Sequence, residues 1–211
     1  MRYLYIDTSS PFLYAGLVED DKLLAERQKE LRENLSKNAI YEIAEMFKEA
    51  NLSPDDVDKI IVINGPGSFT GIRIGLTIAK VYAWAKEIPI TTASSLLAMA
   101  ISSDNNKIHV PMLDARRDFV YAAIYDENYE EILKAQHIER EKVIEKLKDL
   151  SDYEVISNDD FSDLTDVNRY KPNILKIVEY LKDKESINPH AANPDYLKLT
   201  AAEERINEWL N

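Results

Sequence analysis

A chain of 211 residues with 45% hydrophobic and 30% charged side chains can bury an ordinary core and has room for one large domain or two small ones. Its formal charge of -12 opposes polyanions, so alone it should bind nucleic acid poorly, and the absence of cysteine removes disulfides and thiolate chemistry. No apolar run reaches bilayer length, and MRYLYIDT places an Asp directly after a short apolar run, unlike a signal peptide; the expectation is a cytoplasmic protein with no membrane contact.

Residues 2–7 (RYLYID), 12–18 (FLYAGLV) and 23–29 (LLAERQK) predict three strands joined by short polar or proline-bearing turns. A helix follows over 36–50, where Ile40, Ile43, Ala44 and Phe47 recur on one face. The SPDD at 53–56 offers an N-cap Ser, a Pro at the first helical position and an Asp three residues after the cap, which predicts a short helical turn. KIIVIN reads as a buried β-branched strand, and a second helix runs over 68–86. The order then returns: strands at 108–114, 119–125 and 131–137, a helix at 140–149, a strand at 153–157 and a helix at 172–183. Each copy reads β-β-β-α-β-α with an Asp closing its first strand, Asp7 and Asp114, which predicts two α/β halves with mixed sheets, 1–104 and 105–199. Behind NPDYLKL, Thr200 and Glu203 have capping-box spacing, so 200–211 reads as a last helix and a candidate to pack on the first half.

Four of the chain's five glycines, Gly65, Gly67, Gly71 and Gly75, fall within INGPGSFTGIRIG. No glycine there is followed by Lys-Ser or Lys-Thr as a Walker A loop requires, and the third glycine of a dinucleotide fingerprint is replaced by Thr70. The loop still leads from a strand into a helix N-terminus, where free amides could hold an anion. Gly65-Pro66-Gly67 reads as a tight exit from the strand. Beyond it, Gly71, Gly75, Ala79 and Ala83 recur every fourth residue as a small-residue ridge. Two interior glycines each cost a helix roughly 1 kcal/mol against Ala, so a compensating close contact is expected, either with another chain or inside the domain.

Three stretches together, YLYIDTSS, GPGSFTGIRIG with its following AK, and NPDYLKL with an acidic helix behind it, resemble the TsaB (YeaZ) family of bacterial tRNA threonylcarbamoyladenosine biosynthesis. The resemblance spans the chain, the second half by layout more than by letters. It implies the duplicated fold of the actin-like ATPase superfamily (ASKHA, ribonuclease H-like). It also implies a non-catalytic scaffold or activator with no cofactor of its own. Such a subunit pairs with the catalytic paralogue TsaD, meets tRNA only through the complex, recruits the ATPase TsaE and forms a homodimer when TsaD is absent. On this reading the first two helices supply the partner face, with Ile40, Ala44, Phe47, Thr70, Gly71, Arg73, Gly75, Leu76, Ala79 and Ala83 as its residues.

Asp7, Thr8, Gly65 and Gly67 fall where the superfamily holds nucleotide phosphate; they are either a remnant nucleotide or anion site, or simply the end of a strand. The second half offers Asp114-Ala115-Arg116 at the matching hairpin and has no glycine after residue 75. That weakens the rival reading of a stand-alone actin-like ATPase or small-molecule kinase. The catalytic paralogue binds metal through a His pair on the first long helix; RENLSKNAIYEI carries Asn34, Ser36 and Asn38 there. His109, His137 and His190 stand far apart without metal-ligand spacing, which argues against a metallopeptidase.

Overall fold

The computed structural model describes residues 1–31, 34–161, 164 and 167–198. The first three strands, β1 (Arg2–Asp7), β2 (Phe12–Glu19) and β3 (Lys22–Glu30), form an antiparallel meander. Helix α1 (Leu35–Glu49) and a 3₁₀ turn (Pro54–Asp56) lead to β4 (Lys59–Gly65), which pairs in parallel with β1. The 3₁₀ turn starts as its sequence dictates: Ser53 Oγ accepts the Asp55 amide, and the Asp56 carboxylate accepts the Ser53 amide. Helix α2 (Phe69–Lys86) then returns the chain to β5 (Ile90–Ser94), parallel to β4, giving the order β3-β2-β1-β4-β5.

A second sheet repeats that order. It comprises β6 (Ile108–Asp114), β7 (Phe119–Tyr125), β8 (Glu131–Glu139), β9 (Tyr153–Ile156) and β10 (Val167–Asn168), with α4 (Arg140–Leu147) between β8 and β9. Read from β8 the order is β8-β7-β6-β9-β10, strand for strand that of the first sheet. This is the duplicated, actin-like α/β architecture expected from the sequence. Each copy has one strand more than β-β-β-α-β-α: β5 in the first half and β10 in the second. Between β9 and β10 no helix stands among the described residues, so the second half has no described counterpart of α2.

Because side chains alternate across a strand, the central strands β1 and β4 feed two cores. Leu4, Ile6, Ile60 and Val62 point to the face covered by α1 and α2. Tyr3, Tyr5, Ile61 and Ile63 point to the other face, which looks toward the second sheet. Two helices fill that middle layer: α3 (Ser95–Ile101) and α5 (Ile174–Leu181). Leu96, Met99 and Ala100 of α3 pack with Ala123, Tyr125 and Ile156 of the second sheet.

The destination of α5 corrects the simple repeat. By chain order it completes the second half, yet Ile174, Ile177, Val178 and Leu181 pack on Tyr5, Tyr14 and Ile61 of the first sheet. The fifth glycine explains how closely it sits: a Cβ on Gly16 of β2 would lie 2.6 Å from Ile174 Cγ2. The halves are therefore joined through a shared helical layer.

After α5 the chain runs back along the first half. Ile187 exchanges backbone hydrogen bonds with Ile90 on the edge strand. Lys80 Nζ of α2 donates to Ala192 O at 2.8 Å, and the Asp195 amide donates to Asn64 O at 2.8 Å. The helix expected at 200–211 lies outside the described residues.

Candidate partner face and interdomain cleft

The small-residue ridge of α2 faces inward. A Cβ on Gly71 would overlap Thr8 O, and one on Gly75 would overlap Thr8 Oγ1, while the Thr8 hydroxyl donates to Gly71 O at 2.7 Å. Ala79 and Ala83 continue the ridge and are fully buried. The expectation that Gly71, Gly75, Leu76, Ala79, Ala83 and Phe47 form a partner face is thus corrected: all six are buried inside the first half. The physical reason is that i, i+4 small residues permit close approach to any surface, and here that surface is the helix's own sheet and the β1–β2 hairpin.

The opposite side of α2 carries what the ridge does not. Phe69, Thr70, Arg73, Thr77, Val81 and Trp84 are exposed, with Val81 at 60% and Trp84 at 66%, and Ile74 and Ile78 are half-buried beside them. On α1, Ile40 is 56% exposed, next to Tyr41 and Ala44. The two helices lie side by side, with Phe47 and Tyr82 stacked at 6.3 Å. Between them runs an apolar groove whose walls include Ile40, Phe69, Ile74 and Ile78. Of the residues expected at a partner face, Ile40, Ala44, Thr70 and Arg73 are the exposed ones.

Arg73 is held in place. Its guanidinium carbon lies 3.8 Å from the centroid of the Phe69 ring, its Nε donates to Tyr196 Oη at 2.8 Å, and the Phe69 and Tyr196 rings stack at 4.9 Å. Tyr196 therefore fastens the returning chain to the first turns of α2. The NPDYLKL stretch contains this residue, but nothing in its spacing shows which helix it meets.

The glycine loop packs between two backbone segments. Gly65 (φ 126°) and Gly67 (φ 149°) adopt conformations that other residues rarely take, and Gly65 and Pro66 are joined by a cis peptide bond. A Cβ on Gly65 would overlap Asp195 O, and one on Gly67 would overlap Ser9 O. At the N-terminus of α2, the Ser68 amide donates to Ser9 O at 2.6 Å and the Gly71 amide to Ser68 Oγ at 3.2 Å. Two of the amides that would cradle an anion are thereby engaged by the protein itself.

Asp7, at the tip of β1, is buried, and its Oδ1 accepts the Ser9 amide at 2.8 Å. Burial pushes its pKa up, against the hydrogen bonding of Ser9 that favours the ionised form. The cleft in front of it is lined by Asp7, Asp114 and Asp159 with Ser10, Ser95 and Tyr121; neither Lys nor Arg is among its lining residues. Asp159 Oδ2 accepts the Asp114 main-chain amide at 2.7 Å, which fixes the Asp159 carboxylate at the end of β6. Such a lining repels phosphate unless a cation from elsewhere accompanies it.

The three histidines remain apart. His109 is fully buried, stacks on Tyr129 at 5.5 Å and places Nδ1 2.9 Å from Glu154 Oε1. Burial alone would raise the Glu154 pKa; hydrogen bonding by His109 and Asn168, with the polar groups of Ser103 and Asn105 nearby, outweighs it and brings the value to about 2. His137 stacks on Phe119 at 4.7 Å, and His190 sits in a 3₁₀ turn, Pro189–Ala191. Among the described residues no group of three His, Asp or Glu side chains is placed to hold a metal ion.

Two sheets of one topology about a carboxylate-lined cleft define an actin-like α/β protein. YeaZ from Pseudomonas aeruginosa shares the fold, with a TM-score of 0.76 and 18% identity over 93% of this chain and 99% of that one. A family model described as TsaD: tRNA N6-adenosine threonylcarbamoyltransferase matches residues 26–171. The tRNA threonylcarbamoyladenosine biosynthesis protein TsaB of Bacillus subtilis (strain 168) is 32% identical over 221 residues, covering 96% of each chain. Its namesake from Escherichia coli (strain K12) is 33% identical over 133 residues, 61% of this chain and 57% of that one. The chain belongs to the TsaB family.

Proposed function

We propose that this protein is a non-catalytic subunit of the machinery that makes threonylcarbamoyladenosine in tRNA, and that it acts by pairing with its catalytic paralogue TsaD through the outer face of α1 and α2. The observation that carries the reading is the exposed apolar stripe of Ile40, Tyr41, Val81 and Trp84 with the groove between the helices, on a chain whose formal charge is -12. The match to a TsaD family model fits a paralogue that shares the catalytic subunit's fold, and the Bacillus subtilis relative matched over 96% of both chains carries the TsaB name.

On this reading the acidic subunit meets tRNA only through its partners, works in the cytoplasm, and engages the ATPase TsaE in the assembled complex. The same face pairs with a second copy when TsaD is absent. Light scattering of the chain alone and mixed with TsaD from the same organism tests the reading. The expected result is a homodimer that converts to a one-to-one heterodimer, and Thr77→Glu on the outer face of α2 should weaken both by roughly tenfold or more. A folded chain that ignores TsaD would overturn it.

A further inference from the structure

We propose that the cleft between the two halves binds an aliphatic polyamine, a chain of ammonium groups spaced by methylenes. The cavity holds about 380 Å³, within the range of small-molecule sites. Its acids come from both walls: Asp7 ends β1 of the first half, while Asp114 ends β6 and Asp159 follows β9 in the second. Arg116 and Arg117 come soon after Asp114 in the chain, but neither is among the lining residues. Between the acids the surface is apolar or aromatic, with Phe12 on one wall, Leu113 and Tyr121 on the other, and Met99 of α3 between them.

The spacing of the acids selects the class of cation. Among the described residues no three His, Asp or Glu side chains are placed to hold one metal ion. Carboxylates dispersed in this way, with apolar surface between them, call for a ligand whose charges are dispersed too. The methylenes of a polyamine bury against the apolar walls, and its ammonium groups meet the acids and the ring faces. A second observation, behind the floor of the cleft, also points to an ammonium. Asp7 is only 2% exposed, and the Tyr5 and Tyr170 hydroxyls lie close enough that its charge opposes their ionisation. Both hydroxyls are buried without a hydrogen-bond partner among the described residues, and Tyr170 is itself in the lining. Native proteins rarely leave buried hydroxyls unpaired. An ammonium has N–H donors and no acceptor, the complement of a carboxylate beside phenol oxygens. Bound there, a polyamine sets positive charge between acids of opposite halves and holds the halves together.

The cleft shares no lining residue with the groove between α1 and α2, so this site stands or falls separately from the pairing with TsaD. Isothermal titration of the full-length chain with spermidine, at physiological ionic strength, tests it. The expected result is saturable one-to-one binding. Asp114→Asn combined with Asp159→Asn should weaken it by about tenfold or more, since both charges go while the amide oxygens can still accept the hydrogen bonds made to the carboxylates. Glu127→Gln combined with Glu130→Gln removes the same charge from exposed positions between β7 and β8 and should change the affinity by less than about twofold. Asp114 is exposed, so Asp114→Asn alone serves if the cleft pair does not fold, with an expected loss of about threefold. Absence of saturable binding overturns the proposal. Equal weakening by the two pairs also overturns it, because the acidic surface as a whole then attracts the cation. So does full displacement of spermidine by an equal concentration of Mg2+, which would make the site one for a small inorganic ion.

Discussion

The two halves share a sheet order and differ in how they close the hairpin that faces the cleft. In the first half, β1 and β2 are joined by a turn on which α2 sits so closely that Gly67, Gly71 and Gly75 have no space for a side chain. In the second half, β6 and β7 are joined by a turn in which Arg116, Arg117 and Asp118 are all left-handed; no described counterpart of α2 lies along it, and the first residue of α4 meets its end, the Arg140 amide donating to Asp118 O at 2.8 Å. A glycine cluster next to a helix N-terminus is easily taken for a phosphate cradle. Here the glycines follow the close approach of α2 to Thr8 and of the returning chain to Asn64, and the second hairpin, with no described counterpart of α2 packed along it, carries none. The halves also differ in the electrostatics of their buried acids. Burial raises the pKa of Asp7 in the first, whereas hydrogen bonds hold Glu154 of the second near 2.

The largest effect should come from breaking the close approach. Gly75→Leu drives a side chain into the Thr8 side chain, whose hydroxyl is held by Gly71 O, and onto Ile6, so the helix must lift off the sheet. Overpacking of a fully buried seam by a whole Leu side chain should cost about 3 kcal/mol or more. Denaturant unfolding should show loss of the folded state. A stable, folded variant that loses only association would instead put the ridge at an interface and reverse its assignment.

The buried acids sharpen the comparison through pH. Glu154 has a folded-state value of about 2, below its ordinary 4.5, so its contribution is fully present above 4.5 and is lost as pH falls from there through 2. The shift corresponds to about 3 kcal/mol, and Glu154→Gln should forfeit much of it at neutral pH while flattening the acid limb of the stability profile. Asp7 works in the opposite sense. Its folded value is raised, so it favours the folded state below the ordinary carboxylate range and loses that advantage as pH rises through the raised value. Asp7→Asn should therefore not lower neutral-pH stability as Glu154→Gln does, since Asn can still accept the Ser9 amide. Chemical denaturation of both variants between pH 3 and pH 7 separates them, and parallel profiles would refute the contrast.

Much of the fold was legible because its signals are local. Short apolar runs bounded by turn residues mark β1 and β2, the β-branched run marks β4, and Ser53 and Ser68 cap the segments that come after them. Helix α3 was not legible: SLLAMAI is short and almost wholly buried, so it has no polar face to set a period. The destination of α5 was hidden for another reason. An amphipathic pattern shows that a helix has a buried face, but not which sheet covers it; the signal that existed was Gly16, an isolated glycine in a strand, and its partner is 158 residues further along the chain at Ile174. The orientation of α2 was half legible. Spacing found the ridge correctly, and only the sheet beneath it decides that Gly75 points inward and Thr77 outward.

The smallest effect tests the second hairpin. Arg117 holds φ 53° without the freedom of glycine, a conformation that costs an ordinary residue about 1–2 kcal/mol. Arg117→Gly removes that strain but returns about 0.5–1 kcal/mol of entropy to the unfolded chain, so the net gain should be about 0.5 kcal/mol. For a chain of this length that is a rise in Tm of about 1–2 °C, measurable by calorimetry. The corresponding change in the first half has the other sign, because Gly67→Arg would place a side chain into Ser9 O at φ 149°. Equal responses at the two hairpins would mean that their glycine content reflects something other than how closely the chain approaches each.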